Sequence, residues 1–152
     1  MTDRDDAVDR VRDATDPRTI RSVAVRVDDV VTALEARIRS DRETVLRVTP
    51  PFSGRMRARL HVVGRADSPG ESEVDPVLLA PARLVDGVPP YPTVDATEDA
   101  LRERGEYSPS AHREAHADAV ERWRATVRER IVDAVTLRVD RDRHEIEVKR
   151  LG

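Results

Sequence analysis

The stretch that most restricts the fold runs from Thr44 to Val63, TVLRVTPPFSGRMRARLHVV. Its second half alternates without a break, with Met56, Ala58, Leu60 and Val62 on one side and Arg55, Arg57, Arg59 and His61 on the other. A period of two is the mark of a half-buried strand, one face on a core and one in water. The first half, Thr44 to Thr49, is short and β-branched. Thr49 and Pro50 each precede a proline, which favours extended geometry and ends the strand. Ser53-Gly54 supplies the reversal. The expectation is a β-hairpin with a basic outer face.

The rest of the chain is read around that hairpin. Met1 to about Asp16 is polar and charge-mixed, with too few apolar residues to offset the entropy of ordering, and is expected to be a flexible charged arm (residues 1–16) before a single α+β domain (17–152). Ile20, Val23 and Val25 suggest a weak strand or extended lead-in. Val27, Val30, Val31, Leu34 and Ile38 share one helical face, so Asp28 to Ser40 is expected to be an amphipathic helix, capped by Asp28 and braced by Glu35 four residues before Arg39. GRADSPGESEVDP has the composition of a surface loop. Val74, Val77, Leu78 and Leu79 follow as a third short strand beside the hairpin, then a helical turn from Pro81 to Asp86 that Gly87 ends.

VPPYPT is expected to be an extended strut, because its prolines lack donors and fix φ. Asp95 with Glu98 imitates a capping box for a short helix that stops at Gly105. Ser108-Pro109 opens the longest helix, expected to reach about Val135 with Trp123 anchoring it to the sheet. A second hairpin closes the chain: Thr136 to Val139, a turn through Asp140–Arg143, then His144 to Leu151 with Ile146 and Val148 inward and Glu145, Glu147 and Lys149 outward. The expected architecture is α+β: a small antiparallel sheet of about four to five strands from two hairpins, with the long helix and one or two shorter ones packed on one face.

Composition narrows the class. The 152 residues are enough for one core. The absence of cysteine removes disulfide frameworks and thiolate sites, and no apolar run approaches the ~18 residues of a membrane span. A cytoplasmic location is expected. Of the 27 basic residues Lys149 is the only lysine, against 30 acidic residues and a net charge of −3. Arginine is more weakly hydrated than lysine and forks onto carboxylates, which suits a surface kept solvated and paired in concentrated salt. Base composition of the genome is the alternative cause of the same usage.

The segments DPRTIRSVAV, DDVVTALEARIRSDRETVLRVTPPFSGRMRARLHV, VPPYPT and TEDALRERGEYSPSAHREAHADAVERWR resemble those of an uncharacterised family of small haloarchaeal proteins, a domain of unknown function. The resemblance extends over roughly Asp16 to Gly152. It implies a halophilic source and a cytoplasmic compartment, and it implies no activity, cofactor or catalytic residue.

Three candidate sites stand out. Arg55, Arg57 and Arg59 recur every ~7 Å, with Arg47 able to join from the paired strand, and such a ladder suits a polyanion or an acidic partner. The ordinary alternative is that Glu145 and Glu147 lie alongside and neutralise it. Phe52, in the loop PPFSG, is a candidate contact residue, or else closes the end of the core. His112 and His116, four apart on the long helix, can share a metal only with a third ligand such as His61 or His144. HREAH is not HExxH, so packing histidines are the preferred reading and no metal or other cofactor is expected.

The templates for nucleophile elbows, P-loops, dinucleotide fingerprints and EF-hands are missing from the sequence. The reading is therefore a non-catalytic accessory or regulatory interaction module of a halophilic cytoplasm, binding an unknown protein partner through the Arg-lined face. A nucleic-acid-associated protein is the alternative. Four phosphate contacts on B-DNA would lose about 4–5 decades of affinity between ~0.15 M and ~3 M salt, which disfavours it. A metal-dependent hydrolase built on His112 and His116 ranks third.

Overall fold

A computed structural model describes residues 13–64 and 74–152. Six strands form one mixed, curled half-barrel sheet. They are β1 (Ser22–Arg26), β2 (Glu43–Val48), β3 (Arg55–Val63), β4 (Val77–Leu79), β5 (Ala134–Val139) and β6 (Asp142–Leu151), in the order β4-β2-β3-β1-β6-β5. Both expected hairpins are present, β2 antiparallel to β3 and β5 antiparallel to β6. The expectation of a purely antiparallel sheet is corrected. β1 lies between the hairpins and runs parallel to β3 on one side and β6 on the other. Turn chemistry fixes only the pairing inside a hairpin. Which strand closes the inner edges of two hairpins is a tertiary choice that local periodicity does not carry, so a stretch read as a weak strand or an extended lead-in is a central strand.

The inner face explains why β1 belongs there. Ile20, Val23 and Val25 are wholly buried, and across the sheet so are Leu46, Val48, Ala58 and Leu79. Helix α1 (Val27–Arg39) packs on β1, β2 and β3 with Val30, Val31, Ala33 and Leu34 buried. Each buried Val, Leu or Ile among them is worth roughly 1.5–3 kcal/mol of transfer free energy. Asp28 is not the cap: that position falls to Arg26, whose side chain makes no capping bond, and Asp28 and Asp29 sit in the first turn, where the helix dipole favours carboxylates. The Glu35–Arg39 pair forms at 3.6 Å. The expected stripe runs out at Ile38, which is 43% exposed. β4 extends the sheet beyond β2, Leu79 opposite Leu46, and leads into a 3-10 turn at Pro81–Leu84. Most of the expected surface loop after β3, residues 65–73, lies outside the described residues.

The chain forms two compact units, one built from the chain up to Asp86 together with Ile131–Gly152, the other from Gly87–Arg130. The second is helical, with α2 (Val94–Glu103) packed on α3 (Pro109–Glu129). Thr93, not Asp95, caps α2, its Oγ1 accepting from the Ala96 N–H at 3.1 Å. Gly105 stops that segment in the left-handed region, φ 68°, where glycine has no Cβ penalty. Ser108 caps α3 as expected, accepting from the Ala111 N–H at 3.1 Å, with Pro109 first in the helix. α3 ends at Glu129 rather than near Val135. The β-branched Ile131 instead forms a bridge with Val85, and the Val132 N–H donates to the Leu84 carbonyl at 3.0 Å. Trp123, expected to anchor on the sheet, makes its described contacts inside its own unit: Nε1 donates to the Pro89 carbonyl at 2.9 Å, and the ring meets Tyr91 edge-on at 5.0 Å. VPPYPT is thus the strut expected, packed along α3.

The second hairpin turns more tightly than expected, through Asp140 and Arg141 alone, with Asp140 at φ 56°. Ile146 and Val148 point inward, 1% and 5% exposed. Residues 1–12 of the expected arm lie outside the described residues. Residues 13–15 are helical, Ala14 accepts from the Phe52 N–H at 2.7 Å, and Asp16 caps a 3-10 turn at Pro17–Thr19. Arg18 bonds both Asp16 oxygens at 3.1 Å and pairs with Asp142 at 3.0 Å, tying this segment to the start of β6. Among the described residues no helix is long and apolar enough to cross a membrane.

Candidate functional site

The strand register builds the charged face row by row. Residues directly across a pairing share a face, as do residues two apart along a strand. On the face away from α1, Arg55 stands level with Ser22 and then Glu147, and Arg57 level with Ala24 and then Lys149. On the other flank Arg59 lies directly opposite Arg47. Arg26, two residues past Ala24, completes the same face on β1. Five guanidiniums on three adjacent strands therefore crowd one side of a chain whose net charge is −3.

Among the described residues none of the ladder is answered. Arg55, Arg57 and Arg59 are exposed, and no ion pair or side-chain hydrogen bond engages them among the described residues. Arg47 is half-buried, and its Nε is a buried donor with no acceptor. An orphaned buried donor costs about 1–3 kcal/mol, and like charges directly opposed across strands destabilise further. The expected neutralisation by Glu145 and Glu147 is not built. β1 separates β6 from β3, placing those carboxylates two strand spacings away, about 9.6 Å. Glu145 stands opposite Thr136, and Glu147 is bridged by Lys149 on its own strand at 2.9 Å. The outer face of β5–β6 mixes both signs, Arg138 opposed to Arg143 beside Glu145 and the Glu147–Lys149 pair, whereas the outward residues of β3 from Arg55 to Arg59 are all of one sign.

Between the hairpins the face dips into a groove of about 660 Å³. Its floor is β1, whose outward residues Ser22 and Ala24 are too small to fill the space between longer neighbours. Arg21, Gly54, Arg55 and Met56 line one wall, Glu147 and Lys149 the other. The position of the wall is fixed by the backbone: the Gly54 carbonyl accepts from the N–H groups of Arg21 at 2.8 Å and Ser22 at 2.9 Å, and the Arg21 carbonyl accepts from the Glu147 N–H at 2.9 Å. Arg21 and Arg26 were not among the residues singled out from sequence. The pattern Ser22, Ala24, Arg26 on one side of Val23 and Val25 was the signal that could have found Arg26.

The remaining candidates fall elsewhere. Phe52 is 3% exposed and closes the end of the core, so it offers no surface for contact. His112 Nε2 bonds the Val94 carbonyl at 3.0 Å and His116 Nδ1 bonds Thr97 Oγ1 at 3.2 Å, the two rings stacked 6.2 Å apart. These bonds fasten α3 to α2. His144 bonds the Ile20 carbonyl, and His61 is on β3. Among the described residues no three His, Asp or Glu side chains gather as metal ligands.

Fold and face define an α+β protein with a mixed six-stranded sheet and an open basic surface. It belongs to a family described as a domain of unknown function (DUF8009), whose match spans residues 9–152 and so begins before Asp16. No curated protein and no solved structure matches the chain.

Proposed function

We propose that this protein is a non-catalytic interaction module that binds an anionic partner through the outer face of β2, β3 and β1. The observation that carries the reading is the set of outward guanidiniums at Arg55, Arg57 and Arg59 with no carboxylate among the described residues to answer them. Leaving like charges opposed and a buried Arg47 donor unpaired lowers fold stability. An anion laid on the face relieves the repulsion among the exposed guanidiniums, so binding energy is available there. The near-exclusive use of arginine, and 30 acidic residues in 152, support a concentrated-salt cytoplasm as the working environment.

The test is fluorescence anisotropy with labelled poly-L-glutamate, using the wild type and the triple variant Arg55→Ser, Arg57→Ser, Arg59→Ser at ~0.15 M and ~1 M salt. The Debye length falls from about 8 Å to about 3 Å between those conditions. Binding by the wild type that weakens with salt and drops at least about tenfold in the triple variant supports the reading. Equal binding by both proteins, or none by either, overturns it.

A further inference from the structure

We infer that the arginine row of β3, which begins at Arg55 on the wall of the groove over β1 and continues past it through Arg57 and Arg59, receives an extended acidic polypeptide segment with carboxylates at every second residue, an inference that rests on the anion-binding reading above. The first support is spacing. Arg55, Arg57 and Arg59 repeat every two residues of a strand, ~6.8 Å, and an extended peptide repeats its own side chains at that interval. Carboxylates on alternate residues of such a segment meet successive guanidiniums without adjustment of either chain, and each meeting can be bidentate.

The second support is the asymmetry of the walls. Across Ser22 the groove-lining Arg55 stands level with Glu147, and across Ala24 Arg57 stands level with Lys149; Glu147 and Lys149 pair with each other at 2.9 Å. In an extended segment successive side chains point to opposite sides. One set faces the guanidiniums, and the intervening set, neutral or basic, faces Glu147. A phosphodiester strand has a charge at every nucleotide and brings some of it against Glu147.

The third support is what the groove lacks. Single-stranded nucleic acid is held by stacking on aromatic rings as well as by charge. The four aromatic residues are Phe52, buried in the core, and Tyr91, Tyr107 and Trp123, all in the helical unit. None lines the groove. Charge density points the same way. Duplex DNA carries a charge every ~1.7 Å and loses a condensed counterion atmosphere on binding, the source of its steep salt dependence. A peptide with one carboxylate per ~6.8 Å has no such density, so its binding is less penalised in concentrated salt.

The experiment compares three labelled probes by anisotropy: a 12-residue peptide alternating Glu and Thr, a peptide of the same composition with its glutamates in one block, and a 12-nucleotide single-stranded DNA. Wild type and the Arg55→Ser/Arg57→Ser variant are compared, each checked for an intact melting transition. The expected result is that the alternating peptide binds wild type about tenfold more tightly than the blocked peptide and the DNA, the worth of one well-made charge-assisted contact, and loses that advantage in the variant. Equal binding of the two peptides, or tighter binding of DNA, overturns the peptide inference and leaves the anion-binding reading standing. An advantage that survives in the variant also overturns it. Failure of the wild type to bind any probe removes both.

Discussion

The two hairpins flanking β1 are alike on the inside and unlike on the outside. Inward, β2–β3 contributes Leu46, Val48 and Ala58 and β5–β6 contributes Val135, Leu137, Ile146 and Val148, all buried. Outward, β6 alternates Glu145, Glu147 and Lys149 and pairs the last two, while β3 sets Arg55, Arg57 and Arg59 in a row with Arg47 opposed to Arg59. Inner faces answer to the core, and either hairpin would unfold the sheet if hollowed. Outer faces answer to water or to a partner. The difference is one of sign pattern: β5–β6 mixes Arg138 and Arg143 with Glu145, Glu147 and Lys149, while β3 presents Arg55, Arg57 and Arg59 alone.

The largest effects test the likeness. Leu46→Ala and Ile146→Ala each remove a side chain no more than 1% exposed, and each is expected to cost about 2–5 kcal/mol in urea unfolding. A value near zero for one of them would mean that its hairpin is dispensable and break the comparison. Next come the outer faces, where the two hairpins are expected to respond with opposite sign. Lys149→Glu places a like charge beside Glu147 and is expected to lower stability by a few tenths to about 1 kcal/mol. Removing positive charge from the ladder by Arg57→Ser is expected to leave stability unchanged or raise it by a few tenths of a kcal/mol, read as a melting temperature at ~0.1 M salt.

The smallest effect concerns the segment that leads into β1. The Arg18 guanidinium, hydrogen-bonded to Asp16, holds that carboxyl below its ordinary value of 3.8. A depressed carboxyl adds stability that is full above 3.8 and is lost as pH falls through the lower folded value. Asp16→Asn keeps the capping oxygen but not the charge. Its melting temperature is expected to lie slightly below wild type at neutral pH, with the difference closing as the pH is lowered past 3.8. A difference that is constant with pH would show that the charge contributes nothing.

How much of this was legible beforehand follows from which forces are local. The alternation of Arg55–Val63 and of HEIEVK marks two strands and their inner faces, because period two needs no knowledge of neighbours. Ser108-Pro109 marks a helix start for the same reason. What was not legible depends on order across the sheet. Ser22–Arg26 is short, and its place between the hairpins rests on pairings to residues far along the chain. That placement also decides the state of the arginine face: with β1 inserted, Glu147 is not the direct cross-strand neighbour of Arg55 and pairs with Lys149 on its own strand instead. The end of α3 is not legible in the periodicity, because Ile131 and Ala134 continue the helical stripe while the bridge of Ile131 to Val85 overrides it. Asp28 and Asp95 resembled caps, but each lies inside its helix's first turn, where the dipole rewards the same residue type.

The most direct measurement is made on Arg59→Glu, comparing its unfolding free energy and its affinity for the alternating Glu-Thr peptide with those of wild type. Reversing that charge converts the Arg47–Arg59 opposition into an attractive cross-strand pair and supplies an acceptor near the buried Arg47 Nε. The expected outcome is a gain of roughly 0.2–1 kcal/mol in stability together with at least a tenfold loss of peptide affinity, fold and binding moving in opposite directions. A variant that is less stable than wild type, or that binds the peptide as well, would contradict the claim that this face is held open and unneutralised for an anionic partner.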